Sequence, residues 1–243
     1  LLTEKQGTTD SEKPKKWRMI KLKSVIYLIS MMTLAGCSGQ KQTSAVVEEQ
    51  NEHWIIGPFV RPEGVNPVIS PQPTTFQCPM RKQLVKWEES DTFNPAATVK
   101  DGKIVVLYRA EDNSAQGIGK RTSRIGYAES TDGVTMKQSD APVLFPSEDD
   151  CKEIEWEGGC EDPRVAMTED GLYVMLYTAW NRHLPRLAVA TSTDLKNWTK
   201  HGLAFAKAYN GRFANIASKS ASIVTGVKDG KLVIEKVNGK YFM

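Results

Sequence analysis

Asp162 is the residue of this chain best suited to acid–base chemistry. It lies in Gly158-Gly159-Cys160-Glu161-Asp162-Pro163-Arg164-Val165, where paired glycines allow close backbone approach and Pro163 marks the start or edge of a strand. In an extended chain, Asp162 and Arg164 share one face and Glu161 points the other way. Two interpretations are open. Asp162 and Arg164 form an ion pair that holds a loop, or Asp162 donates a proton to a leaving oxygen, which requires a raised pKa.

Further polar residues that could bind a ligand stand at the ends of predicted strands. Asn94 lies in Phe93-Asn94-Pro95-Ala96, and Arg109 and Glu111 lie in Tyr108-Arg109-Ala110-Glu111-Asp112. Asn181 and His183 follow Trp180 at another strand end and are candidates for lining the same channel. An ordinary loop histidine is the favoured interpretation of His183, and a hydrated turn is an open alternative for Glu111.

Short apolar runs between turn residues must position these side chains. Four clear runs are Ile104–Tyr108, Ile125–Ala128, Tyr173–Tyr177 and Leu187–Ala190. They are rich in β-branched and aromatic residues, as strands are, and almost no stretch has helical spacing. The sequence therefore predicts an all-β domain over residues 54–243.

The predicted strands repeat along the chain. Arg124–Asp132 aligns with Arg186–Asp194 at a spacing of 62 residues, and Asp101–Tyr108 aligns with Asp170–Tyr177 at 69. Asn238-Gly239 is expected to open a third copy that stops at Met243. Each copy holds two hairpins, which is typical of a β-propeller blade, with a β-sandwich as the rival architecture. Since blades pack against their neighbours, we expect the chain to be a C-terminally truncated piece of a longer protein.

The first 53 residues are predicted to lie outside the folded domain, and their pattern is typical of a targeting sequence. Residues 1–18 are polar and are expected to be an upstream disordered extension. Residues 19–36 combine a basic start, an apolar run and the small pair Ala35-Gly36, which resembles a bacterial lipoprotein signal peptide with Cys37 as the lipid-attachment residue. Residues 37–53 then form a tether. The expected location is the cell envelope, periplasmic or at the cell surface, with a lipid anchor in the membrane.

Composition excludes two classes of partner. Removing the seven basic and three acidic residues of the first 36 leaves 25 basic and 26 acidic residues, so the folded part is near neutral and no nucleic-acid partner is expected. Cys78, Cys151 and Cys160 come without a close CxxC pairing or a histidine cluster, so no metal is expected. Cys78 is expected to be a buried free thiol, and a Cys151–Cys160 disulfide is left open.

Five segments, in order and at these distances, resemble glycoside hydrolase family 130: FNPA, YRAED, SRIGYAESTDG, GGCEDPRV and PRLAVATSTDLKNW. The resemblance covers roughly residues 54–243. It implies a five-bladed β-propeller, here its first half to two-thirds, that acts on β-mannooligosaccharides with inversion. By position it makes Asp162 the proton donor, acting through a sugar hydroxyl, and assigns mannose binding to Asn94, Arg109 and Glu111. Neighbouring Arg164 is a further candidate contact.

The attacking nucleophile separates two reaction classes within the family. Phosphorylases use inorganic phosphate as co-substrate and need several basic groups around it, whereas hydrolases use water. Where phosphorylases commonly have an arginine, this chain has Lys219. Together with the envelope location this favours an inverting β-mannosidase that needs no cofactor. A phosphorylase that releases mannose 1-phosphate and a non-catalytic glycan-binding lipoprotein stay open.

Sugars also stack on flat aromatic rings. Trp156, Trp180 and Tyr209 are candidates for such a platform, because an aromatic ring offers contact area with few rotatable bonds. Trp198 lies inside the repeated hairpin and is expected to belong to the core.

Overall fold

The computed structural model describes residues 58–117, 119–229 and 231–243. The extension, signal peptide, Cys37 and tether expected over residues 1–53 lie outside the described residues. In the part that is described, no helix has both the length and the apolar character needed to cross a membrane.

The described chain is built from strands and one short helix. The strands are β1 (Gln72–Cys78), β2 (Gln83–Glu88), β3 (Asp91–Lys100), β4 (Lys103–Glu111), β5 (Ser123–Ser130), β6 (Lys137–Gln138), β7 (Gly159–Met167), β8 (Tyr173–Trp180), β9 (Pro185–Ser192), β10 (Thr199–Leu203), β11 (Thr225–Lys228) and β12 (Lys231–Ile234). Helix α1 (Lys152–Glu155) has four residues. The prediction of an all-β domain is therefore confirmed.

Eight strands form two antiparallel units of four. Strands β3, β4, β5 and β6 pair in chain order, and β7, β8, β9 and β10 do the same. The repeated two-hairpin unit predicted from the sequence is thus present. The two units form one continuous path from β10 to β3, not separate blades, so the five-bladed propeller stays a prediction.

A single parallel pair, Ser123 with Gly159, joins the two units. Gly159 has φ of 113°, and a Cβ atom there would lie 2.0 Å from the carbonyl oxygen of Ser123. Only glycine permits this approach of two backbones. The role expected for the paired glycines before Asp162 is confirmed for Gly159, and it brings the start of β7 against the start of β5.

The predicted third copy differs from the structure. Asn238-Gly239 does form a turn, closed by an isolated bridge between Val237 and Lys240. However, the third hairpin is β11–β12, which ends before that turn at Ile234. The residues after Lys240 form no strand in the described chain, and a single backbone bond from Val224 N to Phe242 O holds them.

The same buried polar cluster recurs in both units. In the first, Tyr108 Oη donates to Glu88 Oε2 at 2.7 Å, and Gln138 Nε2 donates to the same oxygen at 3.0 Å. In the second, Tyr177 Oη donates to Glu155 Oε1 at 2.7 Å, and Lys200 Nζ donates to Oε2 at 2.5 Å. Each glutamate lies in the chain segment that precedes its four-stranded unit. The cluster therefore attaches that segment to the second and fourth strands of the unit, β4 and β6 in the first and β8 and β10 in the second.

Three cysteines are buried free thiols: Cys78, Cys151 and Cys160. The expectation for Cys78 is confirmed. The disulfide left open between Cys151 and Cys160 is not formed. Burial raises the pKa of both thiols, and the nearby carboxylate of Glu155 raises them further.

Replacing Lys200 by methionine should destabilise the fold. Glu155 is fully buried and Lys200 has a side chain 10% exposed, so Lys200→Met leaves a buried carboxylate without its cation. Breaking such a pair costs about 3 kcal/mol of the free energy of unfolding. Urea unfolding measured at neutral pH checks this value.

The pH dependence and a control variant test the cause. Burial holds the pKa of Glu155 above its ordinary value despite Lys200, so this group's contribution to stability falls as pH rises through the folded-state pKa. Without Lys200 that pKa rises further, and the deficit of the variant should be smaller at about pH 5 than at about pH 8. Lys196→Met, whose side chain is 55% exposed, should lose less than about 1 kcal/mol. Equal losses in the two variants contradict the assignment.

Candidate active site

Two matching bulges place Asn94 and Asp162 beside each other. Asn94 has φ of 46° and Asp162 has φ of 50°, and each is followed by proline. The register of β3 against β4 shifts between Phe93 and Ala96, and that of β7 against β8 shifts between Glu161 and Arg164. Asparagine and aspartate tolerate the left-handed conformation better than most residues. Asn94 Nδ2 consequently donates to Asp162 Oδ1 at 2.8 Å across the two units.

The guanidinium of Arg109 joins three carboxylates. Nη2 lies 2.6 Å from Glu111 Oε1 and 2.9 Å from Glu161 Oε1, and Nη1 lies 3.1 Å from Asp162 Oδ1. Each of these four side chains is at most 8% exposed. The third guanidinium nitrogen, Nε, donates to Ser123 Oγ at 3.0 Å. Arginine suits this place because its planar fork presents five donors in fixed directions.

Lys219 brings a second cation to the same carboxylates. Its Nζ lies 2.8 Å from Glu161 Oε2 and 3.5 Å from Asp162 Oδ2, and its side chain is 43% exposed. Lys219 belongs to the loop after β10, and that loop is held at the start of β9. Ser218 N donates to Pro185 O, and Ser218 Oγ accepts from Leu187 N, both at 3.0 Å.

Opposing effects determine the pKa of Asp162. Burial raises it, but the hydrogen bond from Asn94, the charge and hydrogen bond of Arg109 and the charge of Lys219 together hold it below its ordinary value. For Arg109, burial lowers the pKa, and the charges of Glu161, Glu111 and Asp162 more than compensate. Asp162 is therefore ionised at neutral pH in the unliganded protein.

The structure brings together five of the predicted site residues: Asn94, Arg109, Glu111, Asp162 and Lys219. The open alternative of a hydrated turn at Glu111 is wrong, because Glu111 is 6% exposed. Asp112 points elsewhere and pairs at 2.9 Å with fully buried Arg124.

Arg164 is placed differently from the prediction. Its Nη1 donates to the carbonyl oxygen of Pro163 at 2.7 Å and lies 3.5 Å from that of Pro95. The bulge interrupts the alternation of side chains, so Glu161 and Asp162 both reach Arg109. The Asp162–Arg164 ion pair, one of the two interpretations left open by the sequence, is not formed, and Asp162 pairs with Arg109 and Lys219 instead. A sugar contact from Arg164 stays a prediction.

Asn181 and His183 belong to a turn of their own. Asn181 Oδ1 accepts from the backbone nitrogens of His183 and Leu184 at 3.1 and 2.9 Å, and its Nδ2 donates to Glu153 O at 3.1 Å. His183 is exposed. None of these bonds reaches Asp162, so their roles as sugar contacts stay predictions.

The aromatic candidates fall into three environments. Trp180 Nε1 donates to Gly119 O at 2.8 Å, which ties β8 to the loop between β4 and β5. Trp156 lies under Lys152, with Nζ 4.1 Å from its ring centroid. Tyr209 is 80% exposed and packs edge-on against Phe213. Trp198 packs against the core, as expected.

Sequence reasoning missed several members of the site. Glu161 was assigned to the opposite face, while Ser123 and Phe93 received no role; the Arg109 guanidinium lies 4.7 Å from the Phe93 ring centroid. Arg121 also approaches, with Nη1 3.7 Å from Glu111 Oε2, and it pairs with Asp91. One sequence signal pointed to the bulge: Asn94-Pro95 and Asp162-Pro163 are 68 residues apart, close to the repeat spacing.

Metal binding has no support from the described geometry. Among residues 58–117, 119–229 and 231–243, no group of three or more His, Cys, Asp or Glu side chains could hold a metal ion. The acidic side chains around Asp162 instead have Arg109 and Lys219 as partners.

Asn94→Ala should raise the pKa of Asp162. The variant removes the hydrogen bond that favours the charged carboxylate while Arg109 and Lys219 stay in place. A carbon-detected NMR titration of the aspartate carboxyl carbons measures the shift. Asn181→Ala, which loses hydrogen bonds in a separate turn, is the control and should leave the pKa of Asp162 unchanged. An unchanged or lower value in Asn94→Ala contradicts this account of the site.

Comparison with known proteins identifies a family. Residues 66–243 match the model of glycoside hydrolase family 130, described as β-1,4-mannooligosaccharide phosphorylase. A curated 1,2-β-oligomannan phosphorylase of Thermoanaerobacter sp. (strain X514) is 33% identical over 168 residues, which are 68% of this chain and 49% of that protein. The chain thus spans about half the length of this relative.

Solved structures give closer matches. A glycosyl hydrolase from Bacteroides ovatus is 63% identical with a TM-score of 0.76, over 78% of this chain and 53% of that one. A second structure has the same identity and TM-score over 77% and 53%. Its report states that the GH130 family of mannoside phosphorylases contains glycoside hydrolases that target β-1,2 mannosidic linkages in Candida mannan. Because the family model covers most of the described residues, the chain belongs to glycoside hydrolase family 130.

Proposed function

We propose that the whole protein containing this chain is an inverting glycosidase that hydrolyses β-mannosidic linkages of mannooligosaccharides, with Asp162 as the proton donor. The observation that carries this proposal is a buried carboxyl group at the meeting point of Asn94, Arg109 and Lys219 in a member of family 130. The family comprises mannoside phosphorylases and glycoside hydrolases. The choice between these two reactions rests on the charges of the site.

A neutral sugar fits the groups around Asp162. Asn94 offers an amide donor and acceptor, and Arg109 and Glu111 offer a charged donor and a charged acceptor in fixed positions. Hydrogen bonds with one charged partner are the stronger ones, so such groups can fix the orientation of a mannose ring. Asp162 Oδ1 already accepts two bonds, whereas the polar partner of Oδ2 among the described residues is Lys219, at 3.5 Å. A sugar hydroxyl can approach Oδ2 without displacing Asn94 or Arg109.

A proton donor must be protonated when the glycosidic bond breaks. In the unliganded protein the pKa of Asp162 is below its ordinary value. A bound sugar removes water from the carboxyl group, and desolvation is the effect that raises this pKa. The family resemblance implies that the proton passes through a sugar hydroxyl, which suits a carboxyl group held tightly by its neighbours. Substrate binding then prepares the acid for catalysis.

The charge of the site favours water over phosphate as the nucleophile. Three buried carboxylates, from Glu111, Glu161 and Asp162, face two cations, from Arg109 and Lys219. Adding the outer pair of Arg121 and Asp91 leaves the net charge at −1. A phosphate dianion would have to detach Lys219 from Glu161, 2.8 Å away, and would then expose that carboxylate. Water carries no such penalty.

The architecture of the whole protein is also a proposal. Two four-stranded antiparallel units in about half the length of the relatives are consistent with a five-bladed β-propeller. The base that activates water would then come from the part of the protein beyond this chain. In an inverting glycosidase it stands about 6.5 to 9.5 Å from the acid, which leaves room for the water molecule.

We expect the whole protein to release free mannose from a β-mannobiose in phosphate-free buffer. Inorganic phosphate should neither accelerate the reaction nor yield mannose 1-phosphate. Asp162→Asn should lower kcat by about 10²- to 10⁴-fold, as loss of a general acid does, while isothermal titration still detects mannobiose binding. Chromatography of the products measures both outcomes.

Asp170→Asn is the matched control, since Asp170 lies in the exposed hairpin turn after β7, and it should leave kcat unchanged. Mannose 1-phosphate as the product would establish the second candidate, a phosphorylase, which the name of the curated relative favours. Binding without any product would establish a glycan-binding protein. Unchanged turnover in Asp162→Asn removes Asp162 as the proton donor.

The leader supports a further proposal, that the protein is lipid-anchored through Cys37 in a bacterial cell envelope. Acyl chains hold a protein at a membrane through the burial of their CH₂ groups. In cells that express the whole precursor, Cys37→Ala should move the protein from the membrane pellet to the soluble fraction and abolish labelling with a fatty-acid probe. Cys78→Ala, which replaces a buried thiol, is the control. Retention of label in Cys37→Ala contradicts the proposal.

A further inference from the structure

Glu161 stands out among the residues around Asp162 because it links both cations of the site. Its Oε1 lies 2.9 Å from Arg109 Nη2 and its Oε2 lies 2.8 Å from Lys219 Nζ. The side chain is 3% exposed, so each oxygen is occupied and water has little access. A bridging carboxylate of this kind fixes two long side chains that would otherwise sample many rotamers.

The two cations differ in how firmly they are held without Glu161. Arg109 keeps Glu111, Asp162 and Ser123 as partners. Lys219 is 43% exposed, and apart from Glu161 its recorded ionic partner in the described chain is Asp162, at 3.5 Å. If Glu161 were neutral, the ammonium group of Lys219 would be attracted mainly to the carboxylate of Asp162 and would move toward it. Asp162 would also lose the negative charge of Glu161 as a neighbour.

We propose that Glu161 is a positioning residue, which aims Arg109 at the sugar and keeps Lys219 from closing on Asp162. This inference rests on the proposed function in assigning the sugar to Arg109. Glu161 is 3% exposed and both of its oxygens contact the two cations, so it acts through Arg109 and Lys219 and not by contact with the substrate.

The charged groups around Asp162 determine the direction in which its pKa should shift when Glu161 is replaced. Arg109 and Glu111 come from β4, Glu161 from β7 and Lys219 from the loop after β10, while Arg121 stands behind Glu111. Glu161→Gln removes one negative charge and leaves every cation, so the pKa of Asp162 should fall. Since the proton donor must be protonated in the enzyme–substrate complex, the alkaline limb of kcat should move to lower pH.

The experiment compares Glu161→Gln with Glu161→Asp in the whole protein. For Glu161→Gln we expect the pKa of Asp162, measured by carbon-detected NMR in the free protein, and the alkaline limb of kcat each to fall by about one pH unit. Glu161→Asp keeps the charge but is too short to reach both cations. Because the negative charge is kept while Lys219 is released, it should lower that pKa less than Glu161→Gln does, and it should lower kcat/KM by about tenfold through misplacement of the two cations.

Each outcome decides the proposal. Equal pKa values of Asp162 in the wild type and Glu161→Gln overturn it, and so does wild-type kcat/KM in Glu161→Asp. If Glu161→Gln does not fold, the kinetics of Glu161→Asp carry the test. If the wild type hydrolyses no mannoside, the proposed function fails, but the NMR titration still tests whether Glu161 controls the ionisation of Asp162.

Discussion

The site depends on one buried guanidinium that holds three carboxylates together. Without Arg109, the side chains of Glu111, Glu161 and Asp162 would be like charges in a space nearly closed to water, and burial of unpaired charge is costly. Arginine meets this demand because it stays protonated and its donors point in fixed directions. The strands must place the carboxylate oxygens along the N–H directions of Arg109, and the bulges in β3 and β7 contribute to this placement.

The bulges show how a repeated backbone can create one asymmetric site. Asn94 and Asp162 occupy equivalent places in the two units and share a left-handed conformation before proline. One carries an amide donor and the other a carboxylate acceptor, so the two equivalent positions bond to each other across the junction. Two aspartates there would repel, and two asparagines would leave no acid. The difference between the copies is therefore what makes the junction chemically useful.

Sequence patterns predicted the parts of this arrangement that depend on local structure. Turns such as Asp101-Gly102 and Asp170-Gly171, together with the repeat spacing, indicated the two hairpins of each unit. The motifs that carry the family resemblance brought Asn94, Arg109 and Asp162 to one site. The side-chain direction of Glu161 could not be predicted from the sequence pattern. A β-bulge changes the face of the sheet on which a side chain lies, and the alternation rule holds only for a strand without a bulge. The contact of Lys219 with Glu161 joins residues 58 positions apart and depends on how the loop folds back.

The second unit has no arginine at the position equivalent to Arg109 of the first unit. Glu161 contacts Arg109 across the junction between the units instead. In the register of the strands, Arg109 pairs with Phe93, and Thr178 pairs with Glu161. Thr178 is uncharged, and its buried hydroxyl has no hydrogen-bond partner in the described chain. Glu161 therefore has no cation at the position paired with it, and its oxygens lie against Arg109 and Lys219. An arginine at position 178 would compete with Lys219 for Glu161, and Lys219 would then pair with Asp162. The uncharged Thr178 therefore helps to keep the carboxyl group of Asp162 available to a sugar.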